Sequence, residues 1–488
     1  MSARRHRPMR LLDEERILSH AECDAIAQRV FNFARGGGET QVQIGSWSNG
    51  ELRWARNRTN LASDRRDVRV EIHRIVTNVG IGTAMTNQLD DASLEGAMRE
   101  AERVAAAGRR VPRVYPGMPP LPTATWPNTA IWSDATYGVT AEARGEVARA
   151  LINPAEAKGF LSAGYLEMRA AAHMRVSSDR PTGPFTPDDI PYVQWTQAQC
   201  SMTVRDRQGS GSGWAGLSSY DWGKIDPNAL AARALEKCEA SRNPVAIEPG
   251  RYTVILEPQA VADLMEIVAA FMDRLVAETG QGPWALAPDD AVTIRGSPIF
   301  RTKLGLKVLD ERITISHDPT DLQLGILPEP WMQPVTWFDK GVLTNLSYTR
   351  DYALLNLNAN TGLRGMSGYR MSGGTTTVDE MIATTKRGLL VTRFSNIRIL
   401  DNKSLLATGL TRDGLWLVED GKISKAVKNF RFTESPLFVL NAIEQLGVPV
   451  PVFRPVRNPY EQGVPLAPAV VPPLKARDFS FTSIIDAI

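Results

Sequence analysis

The chain has 488 residues, of which 43% are hydrophobic and 23% are charged, so its bulk is neither disordered nor fibrous. Lysine plus arginine exceed aspartate plus glutamate by only 56 − 54 = 2, which disfavours a nucleic-acid-binding function. The apolar runs are far shorter than the roughly 20 residues that cross a bilayer, and no export-signal core follows the basic N-terminus. These features predict a soluble cytoplasmic protein.

The first part of the chain reads as helix, strands, helix. Apolar spacing predicts a helix over 13–33 that ends at Gly36-Gly37-Gly38. A helix that begins at Asp90-Asp91 and runs to about Ala107 closes this unit. Ser48-Asn49-Gly50 predicts a hairpin turn between the first two strands, because Asn-Gly tolerates the positive φ of tight hairpins. The predicted strands are 41–47, 52–61, 68–76 and 80–86.

The same order returns after a proline-rich belt at 111–127, which cannot be a helix or a central strand. Asp226-Pro227 predicts the start of a closing helix that runs to about Ala240. The other predicted elements are a helix at 140–157 and strands around 164–176, 192–206 and 213–218. This repetition predicts an internal duplication within an N-terminal α+β lobe, residues 1–247, made of two helix–antiparallel sheet–helix units.

From Pro249 the pattern changes to one helix, residues 258–278, followed by many short β-like segments with turns between them. This pattern predicts a curved or barrel-like antiparallel β domain with a few helices over residues 248–453. The remaining residues, 454–488, begin with a proline-rich stretch and predict an extended tail. The predicted fold class is therefore α+β.

Local motifs for catalysis are sparse. The five histidines are scattered, no two within ten residues, and the three cysteines are too few for a thiolate zinc site. His317, in Ile-Ser-His-Asp-Pro, is the histidine that remains a site candidate. No Gly-x-Ser-x-Gly nucleophile motif occurs, although a catalytic site assembled from distant residues stays open.

A glycine-rich loop is the most structured signal. Ser372, Gly373, Gly374 and Thr375 precede a helix start in which Thr377 and Glu380 have capping-box spacing. The two glycines would allow another backbone to come close, which makes the loop a candidate wall of a substrate cleft. A simple helix start explains the same residues without a function.

The ordered set of motifs resembles the TldD/PmbA (modulator of DNA gyrase) family over about residues 40 to 450. The resemblance is carried by residues 57–60 and 80–91, by 315–320 with 337–343, by 372–374 with 381–389, and by 418–423. In this family, TldD-type subunits carry a zinc-binding His-Glu-x-x-x-His helix, and TldE-type subunits lack it.

The corresponding helix here is expected at 257–273. Alignment on Glu266 places Met265 and Ala270 at the two histidine positions, and a thioether and a methyl group cannot replace two imidazoles on zinc. No cysteine follows Cys238, so the distal cysteine ligand of the TldD pattern also lacks a counterpart. The resemblance therefore implies a TldE/PmbA-like chain that is non-catalytic and binds no metal or cofactor itself.

The resemblance also implies partners. It predicts a heterodimer with a zinc-containing TldD-like subunit, or else a homodimer, that encloses a chamber in which unfolded or modified peptides are cut. An extended peptide without sequence preference would be held by backbone pairing to an exposed strand. Two other functions stay open: an independent hydrolase with an unrecognised site, and a regulatory or binding protein linked to DNA gyrase.

Overall fold

The computed structural model describes residues 17–76, 80–107, 130–178, 190–286, 292–294, 297–326, 331–454 and 468–485. They form an α+β protein, as predicted. The described residues divide into two compact units. One takes those up to Gly50 together with Asp64–Thr123 and Arg169–Thr196, and the other takes Glu51–Ser63, Ala124–Met168 and the residues from Gln197 onward. The predicted boundary at 247/248 stays a prediction.

The helix–three strands–helix order occurs twice, which confirms the two predicted units. The first set is α1 (His20–Phe33), β1 (Glu39–Ala55), β2 (Arg58–Val76), β3 (Gly80–Thr86) and α2 (Asp91–Ala107). The second set is α3 (Asp134–Tyr137), α4 (Ala141–Ala157), β4 (Leu161–Ser177), β5 (Ile190–Arg205), β6 (Ser212–Ser219) and α5 (Pro227–Ala240). The six strands form one sheet in the order β3-β2-β1-β4-β5-β6. The first strands of the two sets, β1 and β4, are therefore neighbours at its centre, and the third strands, β3 and β6, are its edges.

The predicted hairpin turn at Ser48-Asn49-Gly50 is wrong. Strand β1 continues through these residues, and the turn falls at Arg56 and Asn57, whose φ angles are 52° and 63°. The side chain of Asn57 fixes this turn, since its amide donates to Phe160 O at 2.7 Å and accepts from Ser162 N at 2.6 Å. Asparagine tolerates the left-handed conformation that such a turn requires, and here distant backbone groups also hold it in place.

A buried arginine organises the glycine-rich loop after α1. Nη1 of Arg74 donates to Gly38 O at 2.7 Å and to Thr40 Oγ1 at 3.0 Å. Its Nη2 donates to the carbonyls of Arg35 and Gly36, each at 3.0 Å, and of Gly37 at 3.2 Å. The loop after α1 is therefore organised around one guanidinium that is only 2% exposed.

The C-terminal part begins with β7 (Gly250–Leu256), α6 (Pro258–Ala269), α7 (Arg274–Glu278), β8 (Val292–Ile294), β9 (Ser297–Ile299), β10 (Ile315–His317), β11 (Val335–Asp339), β12 (Val342–Leu343), α8 (Arg350–Asn356), β13 (Tyr369–Met371) and α9 (Val378–Ala383). It continues with β14 (Arg387–Asp401), β15 (Leu406–Glu419), β16 (Lys422–Ala426), β17 (Phe430–Glu434), α10 (Pro436–Asn441), β18 (Ile443–Leu446), β19 (Val450–Pro451), β20 (Ala469–Val471) and β21 (Leu474–Ile484).

Five of these strands close into a barrel, as predicted. They follow the order β14-β7-β21-β17-β15, and β15 also pairs with β14, which closes the ring. The β7–β14 pair is parallel and the other four pairs are antiparallel. A second sheet, β12-β11-β10-β13-β20-β19, contains one parallel pair, β13–β20. Aromatic rings fill part of the core, with Phe394 stacked on Phe479 at 5.5 Å between ring centroids.

The predicted extended tail is wrong for the residues that the structure describes as strands. Residues 469–471 form β20 and residues 474–484 form β21, a wall of the barrel. The reason is burial, because Leu474, Ala476, Phe479 and Phe481 are at most 2% exposed and pack in the main hydrophobic core. The proline-rich belt at 111–127 lies outside the described residues. Among the described helices, none has the length and apolarity to cross a membrane.

Candidate functional site

Helix α6 and the residue that follows it hold the positions that the family resemblance aligns with the zinc motif. The helix begins with Pro258, where proline lacks only an N–H that would be unpaired anyway, and its apolar face packs into the main core. Met265 is 1% exposed, so its thioether is part of that core. Ala270 is the residue after the last helical residue, and its N–H donates to Glu266 O at 3.1 Å. Neither position presents a side chain that binds zinc.

Glu266 is paired with an arginine from a distant part of the chain. Nη1 of Arg454 lies 3.3 Å from Oε1 of Glu266 and 3.9 Å from Oδ1 of Asp263, one helical turn earlier. The Arg454 side chain is only 4% exposed and that of Glu266 is 25% exposed. Burial raises the pKa of Glu266, and the nearby Arg454 opposes that rise. A guanidinium therefore supplies the positive charge next to the acidic motif position.

Asp263 anchors the helix to the barrel. Its Oδ2 accepts the N–H of Phe394 in β14 at 2.9 Å, and its Oδ1 accepts from Gln259 Nε2 at 3.0 Å. Burial raises the pKa of the Asp263 carboxyl, with Arg454 acting against the shift. The hydroxyl of the fully buried Tyr369 lies beside the same guanidinium, and burial raises the pKa of this phenol too. The result is a buried polar cluster of Asp263, Glu266, Tyr369 and Arg454.

These residues do not fit a zinc ion. Tetrahedral zinc sites in proteins use imidazole, thiolate or carboxylate ligands, and this helix offers only two carboxylates, which both lie near the guanidinium of Arg454. Within the described ranges, no group of three or more histidine, cysteine, aspartate or glutamate side chains is placed to hold a metal ion. The cluster balances two carboxylates with an internal cation instead.

His317 lies in β10 and is 4% exposed. Its Nδ1 is 2.9 Å from Gly368 O, and because a carbonyl only accepts, Nδ1 carries the proton. Burial lowers the pKa of this histidine, so the ring is neutral at physiological pH. Strand β13, which starts at Tyr369, is a neighbour of β10 in the sheet. Its role as a site residue stays a prediction.

The loop from Ser372 to Thr375 packs on the chain itself. A side-chain carbon on Gly373 would lie 2.4 Å from Gly447 O, and one on Gly374 would lie 2.4 Å from Leu446 O. Ser372 Oγ donates to Arg312 O at 2.7 Å and accepts from Thr314 N at 2.8 Å. The expected close approach of a backbone is therefore present, but the approaching backbone is that of residues 446 and 447. The role of Ser372, Gly373, Gly374 and Thr375 in a substrate cleft stays a prediction.

The helix that follows this loop explains the rest of the motif. Thr377 and Glu380 form the predicted capping box at the start of α9, with both reciprocal hydrogen bonds present. Among the described residues, the structure shows no hydrogen bond from this exposed loop or from the buried His317 to the α6 cluster.

The residues that sequence reasoning missed are Asp263, Gln259, Tyr369 and Arg454. Asp263 and Glu266 are three positions apart, which places both carboxylates on one face of α6 and could have marked them as a pair. For Arg454 no local signal existed, because it reaches the helix only through the fold.

A second buried polar network lies next to the barrel. Asp413, fully buried, accepts from Ser212 Oγ at 2.6 Å and from Arg393 Nε at 2.7 Å, and it has a φ of 56°. Arg393 also lies over the ring of Trp214, 4.7 Å from its centroid. The network therefore joins β6 to β14 and β15 through one buried carboxylate.

Comparison with known proteins gives a family match and three fold relatives. Residues 249–483 match the model of the PmbA/TldA metallopeptidase C-terminal domain. A candidate modulator of a DNA gyrase from Thermotoga maritima MSB8 superposes with a TM-score of 0.72 at 16% identity, over 94% of this chain and 100% of that one. A candidate modulator of DNA gyrase from Bacteroides thetaiotaomicron VPI-5482 gives 0.71 at 16%, over 94% and 99%.

TldE from Thermococcus kodakarensis gives a TM-score of 0.71 at 15% identity, over 94% of this chain and 100% of that one. At such identities the likeness concerns the fold. No curated protein matches the chain.

Proposed function

Because the chain is a member of the TldD/PmbA family, whose metallopeptidase C-terminal domain it carries at residues 249–483, we propose that it is a TldE/PmbA-type subunit without peptidase activity of its own. Its fold covers the whole length of a TldE structure, which supports the same assignment. The observation that carries the proposal is the identity and the contacts of the side chains at the aligned motif positions on and after helix α6.

Helix α6 replaces the chemistry that a metallopeptidase needs. Such an enzyme activates water on a metal held by imidazoles, with a carboxylate nearby to take the proton. Here Met265 is in the core, Ala270 offers a methyl group, and Glu266 is paired with Arg454. In this proposal the carboxylate that remains from the motif pairs with the Arg454 guanidinium and has no metal-bound water from which to take a proton.

The proposed partner is a TldD-like subunit that holds zinc and performs the cleavage. In this proposal the two chains form a heterodimer in the cytoplasm and enclose a chamber for unfolded or modified peptides. The present chain contributes part of the chamber wall and of the peptide-binding surface. A homodimer is the alternative assembly.

The test is a comparison of the chain alone with the chain co-expressed with a TldD-like protein. We expect no stoichiometric zinc and no cleavage of an unfolded protein probe, such as reduced and alkylated casein, by the chain alone. We expect about one zinc per heterodimer and cleavage by the co-purified pair. The control is a pair in which the partner's motif glutamate is changed to glutamine.

Three results would reject the proposal: one tightly held zinc per isolated chain, cleavage by the isolated chain, or a failure to co-purify with any TldD-like protein. Cleavage by the isolated chain would favour the independent hydrolase. A change in gyrase supercoiling caused by the isolated chain would favour the regulatory protein instead.

A further inference from the structure

Phe453 and Arg454, in the segment Val452–Arg454 that follows β19, contact residues of helix α6. The side-chain amide of Gln259 contacts both backbone groups of Phe453: its Oε1 accepts the N–H at 3.1 Å, and its Nε2 donates to the C=O at 3.3 Å. The same Nε2 donates to Asp263 Oδ1 at 3.0 Å, which fixes the orientation of the amide. This double contact is the one that an extended peptide backbone offers to a neighbouring strand, here made by a side chain.

The ring of Phe453 has an aromatic receptor. It meets Trp214 edge to face at 5.8 Å between centroids and Tyr165 at 6.1 Å. Gly216 makes room for it, because a side-chain carbon at that position would lie 3.1 Å from Phe453 Cδ2. Aromatic rings attract each other in this geometry beyond the effect of the area they bury.

The next residue has an acidic receptor. The N–H of Arg454 donates to Ser218 Oγ at 3.1 Å, and its guanidinium faces Glu266 and Asp263. Within the described residues, Nε and Nη2 of this guanidinium make no well-formed hydrogen bond although they are buried. The receptor therefore leaves two buried donors of the internal segment without a well-formed acceptor.

The receptor is built from three separate elements. Strand β4 supplies Tyr165, strand β6 supplies Trp214, Gly216 and Ser218, and helix α6 supplies Gln259, Asp263 and Glu266. The backbone, the aromatic ring and the cation each have a matching group, so the contacts are not simply apolar.

We propose that this surface is a recognition site for an extended peptide in which an aromatic residue is followed by a basic one, and that the chain's own Val452–Arg454 segment occupies it. The proposal goes beyond the proposed subunit role, because it concerns this chain alone and needs no zinc partner. A peptide of the same chemistry binds there only after the internal segment has left.

The experiment removes the occupant and supplies it in trans. The full-length chain with Phe453→Ala and Arg454→Ala is titrated with the labelled tetrapeptide acetyl-Pro-Val-Phe-Arg-amide by fluorescence anisotropy. We expect saturable binding to the variant and at least about tenfold weaker binding to the unmodified chain, because a tethered segment competes at an effective concentration of about the millimolar range or higher. The peptide with reversed order, acetyl-Pro-Val-Arg-Phe-amide, should bind neither protein.

Two further variants make the result specific. Adding Gln259→Leu to the double variant should abolish peptide binding, because the backbone contact is lost. The matched control is Phe438→Ala with Arg398→Ala, which removes an exposed phenylalanine and an exposed arginine elsewhere and should leave binding as weak as in the unmodified chain.

A folded double variant that does not bind the tetrapeptide would overturn the proposal, and so would equal binding to the unmodified chain or to the control. If the double variant does not fold by circular dichroism, Phe453→Leu with Arg454→Gln carries the test. It keeps apolar volume and a hydrogen-bond donor, and it should bind the tetrapeptide more tightly than the unmodified chain does. Its failure to do so when folded would be equally decisive. Since no partner subunit is present, these outcomes are independent of the proposed function.

Discussion

The guanidinium of Arg454 lies 3.3 Å from the carboxylate of Glu266, the acidic position of the degenerate metal motif. Carboxylates buried beside a helix need a compensating positive charge, which either an organic cation or a metal ion can supply. The guanidinium does so without a vacant coordination position, so it supplies charge balance and no Lewis acid. This pairing explains how helix α6 can bury two carboxylates.

Replacement of Arg454 by alanine should destabilise the protein by about 3–5 kcal/mol, because it leaves buried carboxylates without their cation. Urea unfolding should be measured for Arg454→Ala, for Glu266→Gln and for the double variant. Glu266→Gln should lower the free energy of unfolding less in the Arg454→Ala background than in the unmodified chain, with a coupling energy of about 1–3 kcal/mol. Strictly additive costs would contradict a direct interaction between the two side chains.

The stability deficit of the Arg454→Ala variant, that is, its loss in free energy of unfolding, should depend on pH. Burial already raises the pKa of Asp263 and Glu266, and loss of the guanidinium should raise both further. A carboxyl whose pKa is higher in the folded state takes up a proton on folding, so the folded variant gains relative stability as pH falls through that pKa. We therefore expect a smaller deficit near pH 5 than near pH 8, and an unchanged deficit would argue against charge as its cause.

Alanine at Gly373 or Gly374 should destabilise the C-terminal part by about 1–3 kcal/mol, because either side chain would meet a carbonyl at 2.4 Å. The control is Gly365→Ala, where the nearest atom, Ser347 Oγ, lies 3.9 Å away. Melting temperatures of the three variants test this expectation. If Gly373→Ala melts like Gly365→Ala, the close packing of the loop against residues 446–449 is not what requires glycine there.

Lysine at Arg74 should cost about 2–4 kcal/mol despite keeping the charge. One ammonium group cannot reach the four carbonyls and one hydroxyl that the guanidinium contacts, and buried acceptors would lose their donors. Arg103→Lys, on the exposed side of α2, is the matched control. Thermal unfolding should separate the two variants clearly, and equal stabilities would show that the loop after α1 does not depend on the guanidinium.

Mild acid should destabilise the protein partly through His173. Burial and the neighbouring Arg175 lower the pKa of His173 to about 4 in the folded protein, whereas an unfolded histidine titrates near its ordinary value. The unfolded chain therefore binds a proton that the folded chain refuses, and stability falls as pH drops from about 6.5 towards 4. Between pH 7 and pH 5 this amounts to about 2 kcal/mol. His173→Asn should reduce the loss by that amount, while His20→Gln, on an exposed part of α1, should not.

Local sequence patterns were sufficient for the order of elements and for most helix starts. Strand β3, at Gly80–Thr86, and the helix that begins after Asp226 agree with their predictions, because turn and capping residues act within a few positions. The turn between β1 and β2 was misplaced, since Asn49-Gly50 and Arg56-Asn57 both allow a hairpin. The choice between them depends on the contacts of Asn57 with residues 160 and 162, which no local pattern contains.

The features of the candidate site also divide into those that the sequence alone could predict and those that depend on the fold. That Met265 and Ala270 cannot bind zinc follows from their side chains alone, and a close approach at Gly373 and Gly374 follows from glycine alone. What approaches those glycines, and which cation faces Glu266, depends on how segments far apart in the chain pack together. Arg454 could not be identified from sequence for this reason.

Strand β21 has a consequence for the order in which the protein can be made. It lies between β7 and β17 in the ring, and Leu474 pairs with Leu256, at the other end of the domain's sequence. While the ribosome is still reading the codons before residue 474, β7 and β17 each present a row of unpaired backbone groups. The nascent barrel is therefore an open sheet during most of its translation, and chaperones that cover strand edges have their longest opportunity to act just before its final strand emerges.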